Sequence, residues 1–288
     1  RSLNGSNGIE SALIVAVASS EPLERSGQTK KTKGLLLKTI VVPLLATLAI
    51  SPCHAESALT LSTGLDYSSG KYGETKSTET LVVPLGIKYE FGDWTLRATI
   101  PYVESNGPSA VSGSGPDRVT IDNGSNVRRK ASGMGDIVLS AAKNVFQDGP
   151  WLIELAAKVK LATADKASGL GTGENDYAVQ TEIYRMLGSS TLFGTLGYKK
   201  MGDPAGTDLK DPFFTSVGWS YKVSQVTTLG LSYDFRQKVQ DSGAPLRDAT
   251  AFATHKLDEH WKLQAYLATG FSKASPDLGG GMFVFYAY

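Results

Sequence analysis

Ten residues define the chemistry open to the interior of this chain: Lys88, Arg97, Glu154, Lys158, Lys160, Glu182, Tyr184, Phe193, Phe214 and Tyr266. Each falls on the more polar parity of a run whose other parity is apolar. Glu154, Lys158 and Lys160, for instance, alternate with Leu155, Ala157 and Val159. Side chains of one parity in a strand share a face. The same parity carries Lys199, Lys222, Arg236 and Lys262, together with Asp66, Glu90 and Asp234. Cations lining such a face, with carboxylates among them, make a hydrated path with a mild anion preference. The same groups packed closely make an ion-pair network that fills a narrow barrel. The aromatic members divide the same way. Their rings can stack on a small aromatic acid whose carboxylate pairs with a guanidinium or ammonium. Otherwise they only fill the interior.

Catalytic constellations are weak. A strand-borne hydrolase would place a serine two residues from a histidine, and neither His255 nor His260 has one. Asp117 and Asp122 lie in a loop without a partner histidine. The run from Gly169 to Gly173 has the glycines of a phosphate cradle. Such a cradle must open a helix after a buried parallel strand, and here strands are expected on both sides. The glycines therefore read as loop residues. No spacing suggests a metal site. The single cysteine, Cys53, excludes an intramolecular disulfide. No enzyme and no cofactor are expected. A net charge of +1 implies no nucleic-acid partner.

The elements that position these residues are long strands. Leu59, Leu61, Leu65 and Tyr67 alternate with Thr60, Ser62, Gly64 and Asp66. The period of two returns at Leu81, Val83, Leu85, Ile87, Tyr89 and Phe91, and again at Trp94, Leu96, Ala98, Ile100 and Tyr102. Runs of about ten residues fit tilted strands that cross a hydrocarbon core of about 30 Å. Only Gly92 and Asp93 separate the second run from the third, a tight-hairpin signal. The pattern continues to Tyr288 and predicts an all-β fold, a transmembrane antiparallel up-and-down barrel of about twelve strands. Connections alternate long and short, as in barrels with short periplasmic turns and longer outer loops. Trp94, Trp151 and Trp261 stand beside short turns, where an interfacial girdle belongs. The chain's mean hydropathy is too polar for a helical membrane protein, whereas a barrel hides its polar face inside.

Three features are harder to place. Lys143 falls on the outward parity near a turn, where it can snorkel. Pro84 and Pro101 fall on the inward parity within strands, and a closed barrel has no free edge for them, so local bulges are expected. The segment from Ala249 to Leu257 alternates too weakly to orient.

Residues 1–29 read as an upstream unstructured segment. Arg1 is not a start residue, which suggests a reading begun before the true start, or a fragment. Residues 30–55 have the order of a Sec signal peptide: Lys30, Lys31, Lys33 and Lys38, an apolar run from Thr39 to Ile50, then small residues at Cys53 and Ala55. Cleavage is expected after Ala55, which leaves 56–288 as the barrel. Export plus barrel strands implies the bacterial outer membrane. The expected partners are its lipid bilayer, the outer-membrane insertion machinery and small-molecule solutes.

Certain motifs carry a family likeness. The segments Thr80-Leu81-Val82-Val83-Pro84-Leu85-Gly86-Ile87-Lys88-Tyr89 and Leu96-Arg97-Ala98-Thr99-Ile100-Pro101-Tyr102 are two of them. Gly133-Met134-Gly135-Asp136 is a third, and Gly169-Leu170-Gly171-Thr172-Gly173-Glu174-Asn175-Asp176-Tyr177 after a lysine-containing strand is a fourth. Together they resemble the outer-membrane β-barrel family assigned to the MetA pathway of phenol degradation, a transporter-like family. Where that family usually has a proline after the lysine strand, this chain has Ala162-Thr163. The resemblance implies passage of aromatic or other apolar compounds and brings no substrate motif. Two functions follow. One is a channel for passive passage of small solutes; the other is a non-conducting structural or surface-binding barrel that acts through its outer loops.

Overall fold

The computed structural model describes residues 57–113, 115–121 and 129–288. The expected upstream segment, the signal peptide with its cleavage site, and Asp122 lie outside the described residues. The strands are β1 (Ser57–Gly70), β2 (Thr78–Phe91), β3 (Trp94–Gly107), β4 (Ala110–Ser112), β5 (Val119–Ile121), β6 (Arg129–Met134), β7 (Ile137–Asp148) and β8 (Trp151–Leu161). They continue as β9 (Asp176–Leu187), β10 (Ser190–Lys200), β11 (Phe213–Lys222), β12 (Thr227–Arg236), β13 (Leu246–Lys256), β14 (Trp261–Gly270) and β15 (Leu278–Ala287). All except β4 and β5 belong to one antiparallel sheet, which closes through the pairing of β2 with β3 and of β1 with β15. Because β6 and β7 are two parts of one wall strand, the barrel has twelve.

Closure satisfies every strand edge, which a bilayer requires. The outward parity is apolar: Leu85, Val179, Leu196, Leu231 and Leu267 all stand exposed. Five connections are short, at 92–93, 149–150, 188–189, 223–226 and 257–260. The two-residue turns open with Gly92, Gly149 and Gly188 at φ of 53°, 52° and 64°, the sign that Gly-X hairpins need. At this end the Lys143 ammonium lies 5.3 Å from the ring centre of Trp94, and the Arg185 guanidinium lies 5.0 Å from that of Trp151. The other end carries the long loops.

The strands differ from the sequence expectation at the prolines. Pro84 and Pro101 face each other across β2 and β3, in an unbroken register. The missing donors therefore fall outside that pair. Beside Pro84 the β1–β2 ladder lapses and resumes in the same register, Thr63 with Leu85 and Asp66 with Val82. The bulge itself lies on the strand opposite Pro101, where pairing shifts from Thr99–Val138 to Tyr102–Met134. Gly135 N–H bonds to the Pro101 carbonyl there at 2.8 Å. A second irregularity, between Asn144 and Phe146, turns both Val145 and Phe146 outward.

The segment that resisted orientation now has a parity. Leu246, Asp248, Thr250, Phe252 and Thr254 are buried inside, and Ala249, Ala251 and Ala253 face out. Alanine carries little hydropathy, so the alternation was faint. The polar stretch from Ser105 to Ser132 is loop only in part. Wall strands β3 and β6 extend into it from both sides, and between them β4 and β5 form a small hairpin with a 3-10 turn at Gly115–Asp117.

Candidate functional site

The interior has two strata. The middle one is aromatic and acidic. Glu154 on β8 stands directly opposite Glu182 on β9, and both are buried. Glu182 accepts hydrogen bonds from the Gln180 amide and the Tyr184 hydroxyl. Like charges directly opposite repel; Arg97 and Lys158 supply the positive charge that acts on Glu182. Lys88, directly opposite Arg97, pairs with Glu90 at 2.9 Å. Tyr184 and Phe193 are cross-strand neighbours and pack with Leu152 and Phe252, and Tyr266 lies against this cluster. Tyr266 also stacks on Phe283, with ring centres 6.2 Å apart. Glycine makes room for the rings: a methyl group on Gly218 would collide with the ring of Phe193. Phe214 stands apart, over Gly197.

The outer stratum is ionic, and the β4–β5 hairpin sits in it as a plug. Val119 of the plug packs with Met201, Leu209 and Val239 from two long loops. The Ser109 N–H donates to Thr78 Oγ1 at 3.0 Å. At its tip Asp117 pairs with Lys158 at 3.4 Å and Lys199 at 3.8 Å. Arg118 is buried and pairs with Asp248 at 3.7 Å. Its carbonyl accepts a hydrogen bond from Arg236. Burial pushes the Asp117 carboxyl up, but Lys158, Lys199 and Arg236 outweigh it and hold it at about 2. For Arg118 burial works against the charge, yet Tyr72, Asp248 and Asp66 keep the guanidinium above its ordinary value. On the lysine wall Lys160 bridges Asp136 at 3.2 Å and Asp176 at 3.3 Å, and Lys199 also reaches Asp176 at 3.3 Å.

Of the ten candidates from sequence, Arg97, Glu154, Glu182, Tyr184, Phe193 and Tyr266 form the middle stratum. Lys88, directly opposite Arg97, joins them, while Lys158 and Lys160 belong to the outer one, as does Phe214 opposite Arg236. The clustered rings of Tyr184, Phe193 and Tyr266 thus lie at a different height from Lys158 and Lys160. Sequence reasoning missed Arg118, Asp136, Asp176 and Asp248, and treated Asp117 as a loop carboxylate. Val111 and Val119 flanking a Gly-Pro-containing turn were the only trace of the plug. His255 Nδ1 bonds to Thr227 Oγ1 at 2.9 Å and His260 Nδ1 to the Ala287 carbonyl at 2.8 Å. Both lie at the short-turn end, remote from the plug.

Beside the lysines, under the plug, lies a small cavity of about 70 Å³. Val82, Pro84, Pro101, Val103, Val138 and Leu170 make one wall. Asp117, Lys158, Lys160 and Lys199 make the other.

Twelve antiparallel strands, an apolar outer band and an ion-paired interior define a transmembrane β-barrel of the outer-membrane type. Among solved structures the chain is similar to the COG4313 outer membrane channel from Pseudomonas putida F1, with 13% identity and a TM-score of 0.61, over 85% of this chain and 100% of that one. It is also similar to the NanC porin, with 7% identity and a TM-score of 0.50, over 78% of this chain and 98% of that one. At these identities the likeness is one of fold. No protein-family model matches the chain, and no curated protein does.

Proposed function

We propose that the chain is a channel of the bacterial outer membrane for passive passage of small solutes, and that it favours small organic acids with an apolar body. The observation that carries the reading is the plug. A discrete hairpin, held at its tip by ion pairs to the wall, occupies the mouth of a barrel whose wall is complete without it. A plug of this kind is suited to leave. Behind it lie three lysines and an apolar wall, a combination that suits an anion with a hydrocarbon body. The resemblance to the family of the MetA pathway of phenol degradation supports an aromatic or apolar cargo. In this reading Lys88, Arg97, Glu154, Lys158, Lys160, Glu182, Tyr184, Phe193, Phe214 and Tyr266 line the path. The chain reaches the membrane by Sec export, is cleaved after Ala55 and assembles through the insertion machinery. Its role is transport rather than catalysis.

Liposome uptake tests this. Benzoate should enter faster than an uncharged sugar of similar size, and Lys158→Ala should remove the difference. Equal uptake of the two, or none of either, would reject the reading. Lys158 is a better target than Arg97. Removing Arg97 would leave Glu154 and Glu182 opposed without their guanidinium, and loss of one partner from a buried charge set destabilises by roughly 3–5 kcal/mol.

One observation favours a second reading, a non-conducting barrel that acts through its outer loops. The packed cluster of Leu152, Tyr184, Phe193 and Phe252 fills part of the interior, as side chains do in narrow barrels. Absence of conductance in the wild type and in plug variants would decide for it.

A further inference from the structure

We infer that the cavity under the plug is a binding site for a small carboxylate with a compact apolar body, and that the bound carboxylate takes the place of Asp117 on Lys158 and Lys199 and so releases the plug. The release step rests on the channel reading above; the binding step does not.

The argument starts from charge balance. Around the cavity, Lys158, Lys160 and Lys199 face Asp117, Asp136 and Asp176. Two of these carboxylates belong to the wall, Asp136 in the bulge between β6 and β7 and Asp176 at the start of β9. Asp117 alone belongs to the plug. When it leaves, three ammonium groups face two carboxylates. The side chains of Lys158 and Lys199 are only 10% and 6% exposed. Buried ammonium groups that lose their counter-charge are costly, so the plug stays unless another anion fills its place. At these lysines a neutral solute cannot do this, and a cation makes it worse.

The place is also shaped for a carboxylate. Asp117 offers its two oxygens to two different lysines, Oδ2 to Lys158 and Oδ1 to Lys199. The depressed pKa of about 2 shows how strongly the surroundings favour the ionised form. The opposite wall then selects the rest of the ligand. Val82, Val103, Ala164 and Leu170 form a buried cluster that gives the cavity its apolar side. A ring or branched chain can lie there while its carboxylate meets the lysines. Small-molecule pockets run to roughly 300 Å³ or more, against about 70 Å³ here with the plug seated. Ligand and seated plug therefore exclude each other, which makes the ligand an opener.

The test uses mature protein folded in detergent, with cyclohexanecarboxylate as probe and cyclohexanemethanol as its neutral counterpart. Heat-modifiable migration confirms folding of each variant. Calorimetry should show the acid binding and the alcohol not binding. Asp117→Asn, which removes the internal competitor, should bind the acid at least about fivefold tighter, and Lys158→Gln about tenfold weaker. Release is read by trypsin, which cuts after Arg118 only when the plug is out. The acid should speed that cut in wild type, the alcohol should not, and Asp117→Asn should be cut without ligand. Equal effects of acid and alcohol, or unchanged binding in both variants, would overturn the inference. Acid binding and plug release without any conductance would leave this site standing and remove the channel reading. Conductance without acid binding would do the reverse.

Discussion

Asp117 and Arg118 are neighbours in the chain and pair with different parts of the barrel wall. Asp117 turns to Lys158 on β8 and Lys199 on β10, and Arg118 turns to Asp248 on β13. Asp66 on β1 and Tyr72 in the following loop also hold the guanidinium. One dipeptide thus ties the plug to two sides of the mouth. The two anchors do not duplicate each other, because each sets a charge of opposite sign against buried counter-charges of the wall.

It follows that Asp248→Asn should loosen the plug from the Arg118 side. The neutral amide keeps the shape and removes the ion pair, and loops held by few such contacts open at low free-energy cost. Tryptic cleavage after Arg118 should be at least about tenfold faster than in wild type, with cleavage elsewhere in the folded barrel unchanged. An unchanged rate would mean that Asp66 and the apolar contacts of Val119 hold the hairpin alone.

Acid should release the plug only at low pH. The Asp117 carboxyl has its ordinary value of 3.8 when free and about 2 when seated. A depressed folded value adds stability above the free pKa, and that stability is lost as pH falls through the folded pKa. The Asp117 contribution to seating should therefore be indifferent to pH between 7 and 5 and weaken from about 4 toward 2. Conductance in planar bilayers, titrated over that range, should be flat and then rise. In Asp117→Asn the rise should be absent. A wild-type rise centred near pH 6 would point to another group.

The lipid face makes a depth-dependent prediction. Leu231 lies at the middle of β12, and Val223 lies at the short turn before it; their exposures are 54% and 49%. A lysine on a barrel's lipid face costs about 2–4 kcal/mol at the midplane and about 0–1 near the interface. Leu231→Lys should lose several times more stability than Val223→Lys in denaturant titrations of the bilayer-folded protein. Equal losses would show that the membrane band has been misplaced along the strands.

Much of this architecture was legible because a lipid-facing parity must be apolar for the whole span, so each strand repeats its signal several times. Leu59 to Tyr67 and Trp94 to Tyr102 declare their faces without help. The signal fades where the outward residues are Ala249, Ala251 and Ala253, since a methyl group is weak evidence of burial in lipid. Pro84 and Pro101 were read as sites of bulges, because a single strand does not reveal its partner. Their placement on one rung lets the strand opposite Pro101 absorb the irregularity at Gly135. The plug leaves only the faint trace of Val111 and Val119 around a Gly-Pro turn. Its strands are three residues each, too short for a period, and its anchors are polar residues in a polar loop. Asp117 meets Lys158 across 41 positions, and Arg118 meets Arg236 across 118. Nothing local in either residue foretells such a partner.

The aromatic stratum should be the second barrier on the path. Phe193 is buried between Tyr184 and Phe252, and its ring lies over Gly218 so closely that no Cβ fits there. Phe193→Ala removes the ring and leaves a gap in the middle of the barrel. Truncating a buried phenylalanine costs roughly 3–5 kcal/mol where the surroundings do not relax, and water entering this polar-lined interior reduces the loss. With the plug seated, the variant should conduct little more than wild type, because the outer stratum still closes the mouth. Asp117→Asn alone should admit ions past the mouth and meet the rings. The double variant should therefore exceed the sum of the two single effects on conductance. Additive or unchanged conductance in the double variant would show that the path does not run through Phe193.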